Sequence, residues 1–180
     1  MKKMFLVLMG AALFSACNND TKSTAPTGED TTAAKPAAAL PYKPSYSSSF
    51  KMGNADYSAM IAQGSWKDWQ MNTMDNMKSW VADTIVVFQS DNKMIKGLDS
   101  VQANWKRGRA GYTSVIDTLN AIIPVYSTDK KENWVLVWVT DISTDTKGKT
   151  DTVDVQETWR INKDGKADLL YQYDRHARKK

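Results

Sequence analysis

Glu157 is the residue of this chain whose neighbours best equip it for chemistry. It lies in Val153-Asp-Val-Gln-Glu-Thr-Trp-Arg-Ile161, and side chains alternate between the faces of a strand. Glu157 therefore shares a face with Val153, Val155, Trp159 and Ile161. A carboxyl group on an apolar face loses hydration and keeps its proton to higher pH, so it can serve as a hydrogen-bond donor or a general acid. The structural alternative is that Glu157 sits near a sheet edge and pairs with Arg160 or another base, since ion pairs also perturb acids. The aromatic residues raise a parallel question. Trp66, Trp69, Trp105, Trp138 and Trp159, with Phe88, are candidates for a ligand pocket around Glu157. The ordinary role of such residues is to fill a core. They become a stacking surface for a flat apolar ligand only where a cavity of a few hundred cubic ångströms remains among them.

Other chemistries find little support. His176 is the single histidine and falls in a basic C-terminal stretch, so neither a histidine triad nor a histidine metal site can be assembled. Gly108 and Gly111 flank a helix end rather than forming a phosphate loop. Asp141, Asp145, Asp151 and Asp154 straddle a hairpin without the ligand order of a calcium loop and read as a solvated turn. No metal and no cofactor is expected. The formal charge is +4, but no stripe of Lys and Arg interleaves with aromatics, so nucleic acid is not an expected partner. A single cysteine rules out an intrachain disulfide.

The elements that must position these groups follow from periodicity. Ile61, Ala62, Ser65, Trp66 and Trp69 recur at three- and four-residue steps, the mark of one helix face, with Gly64 inside at modest cost. Met74 to Val81 is a second, short helical piece, and Ile85-Val-Val-Phe88 a strand. Met94 to Gly97 is a short strand, and Leu98 to Arg109 a helix with Leu98, Val101 and Trp105 on one side. Ser114 to Tyr126 is a long strand that Pro124 must bend or place at an edge. Trp134 to Ile142, Val153 to Ile161 and Lys166 to Tyr173 are three further strands, the last two joined by the turn Asn162-Lys-Asp-Gly165. Helices first and strands afterwards argue an α+β fold with helices on one sheet face. Trp134 to Ile142 is apolar on both faces, and with Leu169, Tyr171 and Tyr173 it predicts a covered outer sheet face, for which a homodimer is one explanation.

Before this domain the chain changes character. Met-Lys-Lys, an apolar run from Met4 to Phe14, and Ser15-Ala16-Cys17 have the form of a secretory signal, too short to span a bilayer. Small residues before a lone cysteine resemble the lipobox of bacterial lipoproteins, with Phe14 where that pattern usually has Leu. The resemblance implies cleavage after residue 16, a lipid on Cys17, and residence in the bacterial cell envelope, on the periplasmic side or at the outer membrane. Residues 17–54 read as a disordered tether, residues 55–174 as the folded domain, and residues 175–180 as a basic tail.

Several phrases in that domain resemble the nuclear transport factor 2-like superfamily, which includes the SnoaL-like cyclases and the ketosteroid isomerases. They are Trp66-Lys-Asp-Trp69, Met77-Lys-Ser-Trp-Val-Ala-Asp83, Ile95-Lys-Gly97 opening a helix, and Glu157-Thr-Trp-Arg-Ile-Asn-Lys-Asp-Gly-Lys166. The resemblance implies a cone-shaped, curved antiparallel sheet packed on N-terminal helices (an NTF2-like, cystatin-like α+β barrel) with a pocket at its open end. It implies no reaction, since one fold hosts many activities. In the isomerases, a Tyr on the first helix and a protonated acid on a late strand form an oxyanion hole, and a carboxylate after the first strand is the base. Ser65 stands where the Tyr would be, Gln89 where the base would be, and Glu157 where the acid would be. Glutamine cannot shuttle a proton, which disfavours steroid isomerisation; Asp91 is the one displaced candidate for a base. The expected function is binding of a small apolar ligand or a protein partner. The rival readings are a lyase, isomerase or hydrolase acting through Glu157, and a structural lipoprotein whose cone is filled.

Overall fold

The helical entry is set by Asn54, whose side chain accepts the Asp56 N–H at 2.9 Å and caps α1 (Ala55–Ile61). A computed structural model describes residues 40–176. The expected leader at 1–16, Cys17, the tether as far as 39 and the last four tail residues lie outside the described residues. From α1 the chain continues through a π-helical turn (Ala62–Lys67) into α2 (Asp68–Met71), which ends where Asn72 turns left-handed at φ 57°. The wider turn lets three consecutive residues, Gly64, Ser65 and Trp66, all be buried. A 3₁₀ turn (Met74–Asn76) and α3 (Met77–Trp80) then lead directly into strand β2 (Val81–Phe88). β3 (Met94–Lys96) and α4 (Leu98–Arg109) follow.

The sheet is completed by β1 (Phe50–Met52), β4 (Tyr112–Ser127), β5 (Glu132–Asp145), β6 (Thr150–Ile161) and β7 (Ala167–His176), in the order β1-β4-β5-β6-β7-β2-β3. It is curved and unclosed, and antiparallel except where β2 lies parallel to β7. The fold is therefore the expected α+β one. Two boundaries differ from those read in the sequence. β1 lies ahead of residue 55 and pairs with β4 through Met52↔Val125, because Phe50 and Met52 alternate as a short edge strand does. β7 runs past residue 174, with Arg175 opposite Asp154 and His176 opposite Val153, so the first two residues assigned to the tail are strand. Pro124 sits where β1 runs out, and its carbonyl accepts the Gly53 N–H at 3.0 Å. The turn at Asn162–Gly165 is built as expected: Asn162 Oδ1 accepts from the Asp164 and Lys166 N–H groups, and Gly165 takes φ 76°.

The core lies between the helices and the inner sheet face. Ile61, Met77, Ile85, Val135, Val137 and Leu170 are completely shielded from solvent. Arg109 fastens the helices to the sheet. Only 8% exposed, it donates from Nε to the Trp69 carbonyl (2.8 Å), from Nη2 to that of Gln70 (3.1 Å) and from Nη1 to that of Tyr112 (2.9 Å). These bonds reach two carbonyls in the last turn of α2, where helical partners run out. A lysine delivers one compact ammonium instead of a planar fork. Arg109→Lys is expected to cost about 2 kcal/mol in urea unfolding, since charge-assisted bonds contribute about 1.5–3 kcal/mol each and at most one survives. An unchanged midpoint would show that these bonds carry no net stability.

Candidate functional site

Glu157 projects from the middle of β6 onto the inner face, between Val137 of β5 and Gln172 of β7, and is 2% exposed. Its Oε2 accepts the Trp159 Nε1–H at 2.8 Å and, at the 3.5 Å limit, the Ser65 hydroxyl; its Oε1 accepts Gln172 Nε2–H at 3.0 Å. Burial pushes its pKa up to about 7, and the donors from Trp159 and Gln172 only partly offset that. Among the described residues no cation pairs with it: Arg160 points to the other face and binds Asp168 at 2.8 Å. Trp66 Nε1 lies close to the same carboxyl but outside hydrogen-bonding geometry, and this buried N–H has no partner.

Beside Glu157 opens a cavity of about 280 Å³. Trp66 and Trp69 line it from the first helical run, Trp105 and Gly108 from α4, and Val153, Val155, Glu157 and Gln172 from β6 and β7. Gln89 and Asn104 stand on its wall, bonded to each other at 3.2 Å (Gln89 Nε2–H to Asn104 Oδ1). Of the candidate residues named from the sequence, Trp66, Trp69, Trp105 and Glu157 lie here. Three lie elsewhere. Trp159 is beneath the cavity, 1% exposed, with Trp80 and Trp105 packed edge-on against it at 5.5 and 6.0 Å. Phe88 stacks on Tyr171 at 5.1 Å on the outer face. Trp138, opposite Gln156 and one residue out of phase with the buried Val137 and Val139, is on that outer face too. In a two-faced apolar strand such as β5, alternation separates two sets of residues without saying which set points inward, and Trp138 belongs to the outer one.

The sequence reading missed a second acidic group. Asp141 is no part of a solvated turn: it lies within β5, in phase with Val137 and Val139, lines the cavity, and accepts the Trp69 Nε1–H at 3.3 Å. Asp117 of β4 is its direct cross-strand neighbour. Both carboxyl oxygens of Asp117 are buried without a hydrogen-bond partner. Burial first, and then the charge of Asp141, push its pKa up to about 7, against a smaller opposing pull from Arg109. The legible signal was parity with Val115 and Val139. His176, exposed on the end of β7, stands at the cavity mouth 3.4 Å from Asp151.

No family model matches this chain, and no curated protein matches it. Solved structures do. A Mycobacterium tuberculosis protein crystallised in complex with estradiol-17beta-hemisuccinate is similar at 20% identity and a TM-score of 0.53, over 65% of this chain and 92% of that one. An NTF2-like protein of unknown function from Burkholderia pseudomallei is similar at 14% identity and a TM-score of 0.53, over 65% and 89%. A Mycobacterium tuberculosis LEH-like epoxide hydrolase is similar at 16% identity and a TM-score of 0.52, over 67% and 84%. At these identities the likeness is one of fold.

Proposed function

We propose, from the premise that this chain has the nuclear transport factor 2-like fold, that it is a binding module holding a small, largely apolar ligand in its cavity. The observation that carries this reading is the open space lined by three tryptophans and a buried acid, Glu157. The indoles supply apolar surface for a ligand to cover, and Glu157 supplies a polar group to orient it. At about 280 Å³ the cavity falls just below the range of drug-sized sites, so the ligand is small. The same volume weighs against a filled, purely structural cone. One of the similar structures is a complex with a steroid ester, which fits this use of the fold.

The leader and Cys17 support export and attachment to the cell-envelope membrane through a lipid. Ile123, Ile142, Phe88 and Tyr173 are each more than a third exposed on the outer sheet face, which supports a homodimer through it. Native mass spectrometry of the protein taken from its own membrane tests all three elements. The expected spectrum shows a diacylglyceryl mass on Cys17, a retained small molecule, and twice the subunit mass. A bare subunit with its leader intact and nothing bound would sink the proposal.

A second reading is favoured by one observation: Glu157 is poised near neutrality, as a general acid or base must be. An enzyme of this kind would be a lyase, isomerase or hydrolase of a small hydrophobic substrate. Glu157→Gln separates the two. Glutamine keeps a donor and an acceptor but moves no proton, so a binder holds its ligand within about threefold, whereas an enzyme loses about 100-fold or more in turnover.

A further inference from the structure

We propose that the ligand of this cavity carries a cationic nitrogen, an ammonium group, seated at the Asp141 end among the indoles. This rests on the reading of the cavity as a ligand site and specifies its ligand. Two independent observations converge on it. Trp66, Trp69 and Trp105 converge on a single small space with Tyr112 at its side, and the faces of electron-rich rings attract cations. The acids supply the second observation. Asp117, Asp141, Glu157 and Asp174 face inward from β4 to β7; against them stand Arg109 from α4 and His176 at the mouth.

Arg109 donates no hydrogen bond to the acids among the described residues: its three bonds all go to backbone carbonyls. Asp141, which lines the cavity, receives a single indole N–H, and Asp117 lies behind it against Asp141 itself. Buried acceptors left this way call for donors, and an ammonium brings three together with a charge.

The opposite end of the cavity suits a hydroxyl. Glu157, Ser65 and Gln172 line it and offer both acceptors and donors. Asp141 lies four residues along β5 from Val137, the partner of Glu157, or about 13 Å at the rise of a strand. Side chains reaching inward from both ends leave on the order of 8 Å between the ligand's nitrogen and its oxygen. An aromatic ring bearing a hydroxyl at one end and an ethylamine at the other has that span.

Calorimetric titration of the full chain at pH 7 with tyramine, 4-propylphenol and 3-(4-hydroxyphenyl)propionate tests the assignment. These three share the ring and hydroxyl and differ in carrying an ammonium, nothing and a carboxylate. Tyramine is expected to bind at least tenfold more tightly than 4-propylphenol, with the propionate weakest, and Asp141→Asn is expected to remove tyramine's advantage. Equal binding of tyramine and 4-propylphenol overturns the cation site and leaves the cavity as a binding site. Binding by none of the three to millimolar concentration overturns both. The ratio measured on the unaltered chain decides the matter even where the variant fails to fold.

Discussion

Gly64→Ala will destabilise this domain by about 3 kcal/mol and lower its melting temperature by roughly 10 °C. Helix propensity alone argues the reverse, since alanine is favoured over glycine by about 1 kcal/mol in a helix interior. Space decides against it. A Cβ at position 64 would stand 2.4 Å from Cε2 and 2.5 Å from Nε1 of Trp80. That indole is 5% exposed and held edge-on by Trp159, so it has nowhere to retreat. Overpacking commonly costs 1–3 kcal/mol and more against a rigid ring, which exceeds the gain in propensity. Thermal and urea unfolding of the variant measure the balance. A variant as stable as the parent would mean that the contact between the π-helical turn and Trp80 is slack.

The second large effect is a slope of stability with pH that runs opposite to the one most buried ion pairs produce. Glu157 has its pKa raised from 4.5 to about 7 in the folded state. The native state therefore binds the proton more tightly than the unfolded chain does. Stability is fully present below the unfolded pKa and is lost as pH rises through the folded one. The shift corresponds to roughly 3 kcal/mol between pH 4.5 and pH 8. Asp117 adds to the loss in the same window, by less, because it is more exposed and its interactions are screened. Asp91, Asp129 and Asp154, whose pKa values are lowered mainly by hydrogen bonds to Lys93, Ser47 and Arg175, act only at more acid pH. Glu157→Gln should remove most of the slope and exceed the parent in stability at pH 8. Gln172 need only turn its amide to keep the buried bonds satisfied. Parallel curves for parent and variant from pH 5 to 8 would show that Glu157 is ionised at no unusual cost.

Much of this architecture was legible because each element is short-range. The strand alternation that placed Glu157 inward needed only Val153, Val155 and Ile161, and α4 runs between the residues that its apolar spacing indicated. What escaped has a common physical cause, which is dependence on distant partners. The π-helical turn exists because Gly64 meets Trp80, sixteen residues on. Asp117 and Asp141 are forty-seven and seventy-two residues from Gln70 and Trp69, the residues they meet. β1 is too short to announce itself and takes its strand character from β4. Glutamine at 89 could be read as unable to shuttle a proton, but the sequence could not disclose that its side chain is tied to Asn104 on the cavity wall.

The parallel pairing of β2 with β7 has a consequence for how the chain acquires its shape. The strand that follows the helices pairs at once with β3 on one side, but on the other it meets β7 only in the last ten described residues, through Val86↔Leu169 and Phe88↔Tyr171. Closing so long a loop precedes any reward from the contacts it brings. The helices and β2 therefore gain this central neighbour only late in folding.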